Sequence, residues 1–216
     1  MSGGERSDWD LFPIGESPFL TRGTTFSNLL AFVDVELAGG RARLFGELSD
    51  PALAAFVTQP FADGEYYDTL PVVPLCHAAA RLRGQTLLAF TRELARFAVE
   101  RDAASVLRGA RRLSPGAMVE ASPMLAQKYF TFVRAEVEKI DDSSYWVTSV
   151  GVPEFLVQFY MVVSETFLVH ALALVGVGDV EYRWFPPSPA GSQHGVAMMQ
   201  LRRRISWSRV TPSTGS

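Results

Sequence analysis

Six side chains in this sequence have the chemistry to hold or act on a ligand: Cys76, His77, Tyr160, Glu165, His170 and Arg203. Cys76-His77 invites a nucleophile or metal reading, since a thiolate beside an imidazole can attack carbon and sulfur with nitrogen can hold a metal. Consecutive residues on a helix point about 100° apart, however, so the two cannot easily act on one atom. A small buried cysteine beside a partly exposed histidine is the plainer reading. Glu165 and His170 lie five apart in a long apolar run, and Gln158, two turns before Glu165, shares its face. A carboxylate in that setting must be paired, protonated or at the helix margin. Two readings follow: a charge pair with an arginine from the C-terminal strand, or a polar spot inside a ligand cavity. Tyr160, on the same run, adds a phenol to the second.

Arg202, Arg203 and Arg204 stand in a row near the C-terminus. In strand alternation Arg203 shares a face with Met199, Leu201, Ile205 and Trp207, while Arg202 and Arg204 share the other. The expectation is a solvated basic face plus one arginine paired to a carboxylate, with Glu165 as the partner. An enzyme would require Glu165, His170 and Arg203 to converge in a cleft, and no residue is assigned as catalytic. The three histidines, His77, His170 and His194, have no His-x-x-x-His spacing, so no metal site is expected.

Bulk properties narrow the classes further. With 216 residues, 48% hydrophobic, 20% charged and a net charge of −3, the chain can bury a core without staples and offers no field that demands nucleic acid. A single cysteine excludes an internal disulfide and fits a reducing compartment, so cytoplasm is the default location. The first ten residues lack the basic-then-apolar pattern of a signal peptide. Residues 155–175 are long enough to span a bilayer but carry Gln158, Glu165 and His170, so they read as a buried amphipathic helix and no membrane span is expected.

The elements that must position these residues change character at residue 130. Residues 1–25, with scattered Gly, Pro and aromatic residues, read as a flexible or surface-lying arm. Residues 26–129 are mainly helical, with predicted helices near 26–37, 52–57, 72–82, 86–101, 103–112 and 118–129. Ser49-Asp50-Pro51 opens the second of these with a cap and a first-turn proline. Period-2 alternation over 131–138, the polar turn Asp141-Asp142-Ser143-Ser144 and a second strand over 145–150 predict a hairpin. Gly151-Val152-Pro153 ends it, and the helix over 155–175 follows. Strands are predicted at 180–185 and 196–207, separated by a mobile loop over 186–195, and residues 210–216 form a disordered tail. The predicted fold is α+β: a single domain over 26–209, in which an N-terminal helical layer packs on an antiparallel sheet of about four strands with one long apolar helix.

Three segments carry a resemblance. Glu65-Tyr66-Tyr67-Asp68-Thr69-Leu70-Pro71, Ala78-Ala79-Ala80-Arg81-Leu82 and Arg92-Glu93-Leu94-Ala95-Arg96 resemble the central helical motif of an uncharacterised paralogous domain family abundant in myxobacteria. The match continues through Tyr129-Phe130 and Gly151-Val152-Pro153. That family is distantly similar in layout to heme nitric-oxide/oxygen-binding sensors and 4-vinyl-reductase-type domains. The resemblance implies a sensor-like pocket between helical layer and sheet. It does not carry heme over, because residues 114–129 hold no histidine and Tyr145-Trp146-Val147-Thr148-Ser149 lacks the arginine of the sensors' Tyr-x-Ser-x-Arg motif.

The expectation is therefore a non-enzymatic regulatory or sensory module, without a cofactor, that binds an apolar small molecule or a partner protein. The alternative is an interaction or assembly scaffold with no ligand, whose partner is another protein or a second copy of the chain. A closed, dry core would favour the scaffold; an elongated apolar cavity would favour the sensor.

Overall fold

The computed structural model describes residues 11–102 and 113–208. The helix expected over 103–112, the first ten residues of the arm and the tail over 210–216 lie outside these described residues.

A short strand, β1 (Leu20–Arg22), leads directly into α1 (Gly23–Glu36). Gly39 and Gly40, expected to end that helix, both have positive φ and turn the chain into α2 (Gly40–Gly46), which the sequence reading missed. Asp50 caps α3 (Pro51–Thr58) as expected, its carboxylate accepting from the Ala52 and Leu53 amides. The aromatic link after α3 contains β2 (Tyr66–Asp68), which pairs antiparallel with β1. Then come α4 (Val72–Leu82) and α5 (Leu87–Asp102).

One helix expected over 118–129 is two, α6 (Pro115–Glu120) and α7 (Ser122–Tyr129). Ser114 caps the first, and Pro123 sits in the first turn of the second, where its missing N–H costs nothing.

The hairpin is formed by β3 (Arg134–Asp141) and β4 (Ser144–Pro153). Gly151 does not end β4. It forms a bulge, with φ of +88° and a register shift between Val150 and Val152. A Cβ there would lie 2.5 Å from the Phe132 carbonyl oxygen, so only glycine lets β4 pass this close to the segment that leads into β3.

After a 3-10 turn (Glu154–Leu156) comes the long helix α8 (Val157–Leu174), then β5 (Val180–Trp184). The loop expected over 186–195 contains a further strand, β6 (Ser188–Gln193), despite its prolines. It lies at the sheet edge, where a missing ladder donor is tolerated. The last strand, β7 (Val196–Trp207), is the spine of the sheet: β4 pairs with one side of it, β5 with the C-terminal half of its other side, and β6 with the N-terminal half. The antiparallel sheet therefore has five strands.

Phe26, Leu29, Leu75 and Phe90 centre the core of the helical layer. Tyr145, Val147, Leu168, Leu172 and Ile205 pack between the sheet and α8. The segment expected to lie on the surface contributes Phe19, which is buried and makes edge contacts with Phe12, Phe132 and Phe155. The chain holds this ring in place through Asp68, a buried carboxylate that accepts from the amides of Gly15, Ser17 and Leu70 and from the Ser17 hydroxyl.

Together, the 3-10 turn and α8 are long and apolar enough to cross a membrane, yet most of their residues are only partly buried. The fully covered positions of α8 are Tyr160, Leu168, Ala171 and Leu172. Part of the remaining apolar surface faces a cavity.

Candidate functional site: a cavity between the helical layer and the sheet

Where α5, α7 and α8 meet, the facing residues Ala95, Ala98 and Ala126 are too small to fill the space, and a cavity of about 110 Å³ remains. Phe159, Val163 and Phe167, four residues apart along α8, form its apolar wall. A short row of polar groups completes the lining, the mixture typical of small-molecule pockets.

One polar group comes from the helical layer. Asp102, at the end of α5, accepts from the Tyr129 hydroxyl at 2.9 Å and from the Asn28 amide at 3.1 Å. Burial raises the Asp102 carboxyl above the usual carboxylate range, against the pull of these two hydrogen bonds. Burial raises the Tyr129 phenol as well, and the neighbouring Asp102 charge adds to the effect.

The other group comes from the sheet side. Tyr160 and Ser149 share a hydrogen bond at 3.0 Å, and Arg203 reaches the same serine at 3.4 Å. The Arg203 guanidinium lies over the rings of Trp184, at 4.9 Å, and Tyr182, at 5.8 Å. The Trp184 indole N–H in turn donates to Glu165 at 2.9 Å.

The six residues singled out from the sequence are thus dispersed. Tyr160 and Arg203 line the cavity. Glu165 is linked to Arg203 only through Trp184, so the expected Glu165–Arg203 pair is not formed: a tryptophan on β5 reaches the carboxylate first. His170 is partly exposed and does not line this cavity. Cys76 is buried beside a second, smaller cavity of about 30 Å³ between α4, α5 and α8. His77, one residue on, is exposed and faces a broad groove beside the N-terminal segment. That divergence follows from the helical geometry of adjacent residues. No group of three or more histidine, cysteine or acidic side chains able to hold a metal occurs among the described residues.

The sequence reading missed Asn28, Asp102, Ser149 and Trp184. None has a distinctive spacing, and they come from four elements far apart in the chain.

No protein-family model matches this chain, and no curated protein does. Solved structures do. A Cs H-NOX mutant with 4-cyano-L-phenylalanine at site 5 is similar over 88% of this chain and 98% of its own, at 10% identity and a TM-score of 0.63. An oxygen-binding H-NOX domain related to soluble guanylate cyclases, in its oxygen complex, is similar over 90% and 96%, at 10% identity and 0.60. A structure bearing on the molecular mechanism of H-NOX activation is similar over 88% and 95%, at 11% identity and 0.58.

Two further similar structures concern porphyrin distortion as a control on heme redox potential and heme distortion in the H-NOX family. The expectation that the protein has no cofactor is corrected by these structures, because this architecture carries heme in them. The absence of a histidine from residues 114–129 was a property of one segment and said nothing about the fold around it. The lining in this chain is a separate matter. Among the described residues it has no imidazole or thiol, its oxygen ligands are Tyr129, Tyr160, Asp102, Asn28 and small hydroxyls, and its space of about 110 Å³ is smaller than the roughly 150 Å³ that holds a benzene ring. That lining does not fit an imidazole-ligated porphyrin, and no chemistry is derived through one. What the chain shares with the H-NOX domains, over nearly its whole length, is the fold.

Proposed function

We propose that this chain is a sensory module that binds a small, largely apolar molecule in the cavity between α5, α7 and α8. The observation that carries this reading is the cavity itself: an apolar wall from Phe159, Val163 and Phe167, small residues opposite, and a few polar groups converging on it. An assembly scaffold would instead have this junction closed. Similarity to H-NOX domains, one of which is an oxygen-binding domain, supports a sensory role by analogy of fold. Kinship with the myxobacterial paralogous family rests on the sequence motifs alone.

The position of the cavity suggests how occupancy would be signalled. A ligand there touches helices from the N-terminal layer together with α8 and, through Arg203, the central strand. Binding would favour whichever relative placement of these layers contacts it best.

The test is native mass spectrometry and an absorbance spectrum of the purified protein, followed by a thermal-shift screen of apolar compounds. A bound mass or chromophore, or a melting-temperature rise with one compound class that Ala98→Phe removes, is the expected result. No bound species and no stabilising compound would reject the reading and favour the scaffold.

A further inference from the structure

We infer that the molecule taken by this cavity carries a carboxylate on an apolar body, and that Arg203 is its counter-ion. The inference rests on the reading of the cavity as a ligand pocket and names the class of ligand.

Arg203 sits on β7, the central strand, with its side chain on the face that packs against the helices. It is 3% exposed and lines the cavity. A guanidinium cannot shed its charge at any pH the protein meets, so burying it demands compensation. The protein supplies little. Among the described residues no carboxylate lies within ion-pair distance of Arg203, whereas Arg41, Arg81, Arg83 and Arg202 all have acidic partners. Its one hydrogen bond, to the Ser149 hydroxyl, is long at 3.4 Å, and its Nε has no acceptor. The rings of Trp184 and Tyr182 offer quadrupoles but no negative charge.

Glu165 accepts from the indole N–H of Trp184, and Asp102, the acid of the lining, accepts from Tyr129 and Asn28. A second polar atom of the lining, the Ser122 hydroxyl, is also buried without a partner. A planar anion answers Arg203: a carboxylate matches the guanidinium fork in a way a neutral group does not. The apolar wall of Phe159, Val163 and Phe167 receives the rest of the molecule. A short alkyl carboxylate suits the volume.

Isothermal titration with butanoate and butan-1-ol tests this, because the two probes share a body and differ in charge. The wild type is expected to bind the acid at least about tenfold more tightly than the alcohol. Arg203→Met should abolish that preference while leaving alcohol affinity within a few-fold. Arg203→Lys, which keeps the charge and secures the test if the methionine variant does not fold, should retain most of it. Equal affinity of the wild type for both probes, or an acid preference that persists in Arg203→Met, would overturn the assignment of Arg203 while leaving the pocket standing. Failure of both probes to bind would overturn the pocket reading and this inference together.

Discussion

The carboxylate of Glu165 on α8 is held by the indole N–H of Trp184 on β5, at 2.9 Å. The same indole ring lies beneath the guanidinium of Arg203. Trp184 therefore separates an acid and a base that the sequence alone suggested would meet. A hydrogen bond to a charged acceptor contributes on the order of 1–3 kcal/mol. In a double-mutant cycle, Glu165→Gln with Trp184→Phe should show a coupling of about 1 kcal/mol or more, measured by urea unfolding. Glu165→Gln with Arg203→Met should be additive within about 0.5 kcal/mol. Strong coupling in the second cycle and none in the first would reverse this assignment.

Along α8, burial differs sharply between adjacent residues. Both residues border the cavity, but Leu168 is buried whereas Phe167 is partly exposed. Leu168→Ala should cost about 2–5 kcal/mol through the void it leaves. Phe167→Ala removes a ring that is already partly exposed and should cost clearly less, despite removing the larger side chain. Equal or reversed losses in denaturant titrations would mean that the cavity closes around Phe167 in solution.

Asp68 joins the N-terminal segment to the start of α4 with four hydrogen bonds, from three amides and one hydroxyl. Asp68→Ala leaves these donors without their acceptor and should destabilise the protein by at least about 2 kcal/mol. It should also expose the chain between Leu11 and Phe19 to limited proteolysis before any other described segment is cut. Unchanged cleavage order would show that the packing of Phe19 holds the segment unaided.

The Cys76 thiol is buried and has its pKa pushed up to about 12 by desolvation, against an ordinary value of 9.0. It should resist a thiol-labelling disulfide reagent at about pH 8 and react fully after unfolding. The sign of the pH effect follows. Above pH 9 the unfolded chain releases this proton while the folded chain keeps it, so stability falls as pH rises from 9 towards 12. Cys76→Ala should remove that part of the alkaline decline. Rapid labelling of the folded protein would mean that the cavity beside Cys76 admits solvent.

Much of the architecture was legible from local pattern, because local physics determines it. The cap at Asp50, the apolar spacing of α4 and the alternation in β7 each act within a few residues, and all three elements appear where expected. The α+β class followed from the change of period near residue 130. Elements that depend on a distant partner were not legible: β1 and β2 pair although they are far apart in the chain, and β6 is a strand only because β7 offers its edge. Gly151 looked like a terminator because a glycine's role at a bulge depends on distant backbone, here β7 across the bulge and the Phe132 carbonyl against it.

The candidate site divides in the same way. Tyr160 and Arg203 were recognisable as polar residues in apolar stretches, which marks a side chain that needs a reason to be buried. Which reason applies is a question of three-dimensional proximity. Only the tertiary structure placed Trp184 between Glu165 and Arg203, brought Asn28, Asp102 and Tyr129 together from α1, α5 and α7, and left space beside Ala95, Ala98 and Ala126. Side-chain chemistry is written in the sequence one residue at a time, whereas a cavity is the space that packed elements fail to fill, and no single segment encodes it.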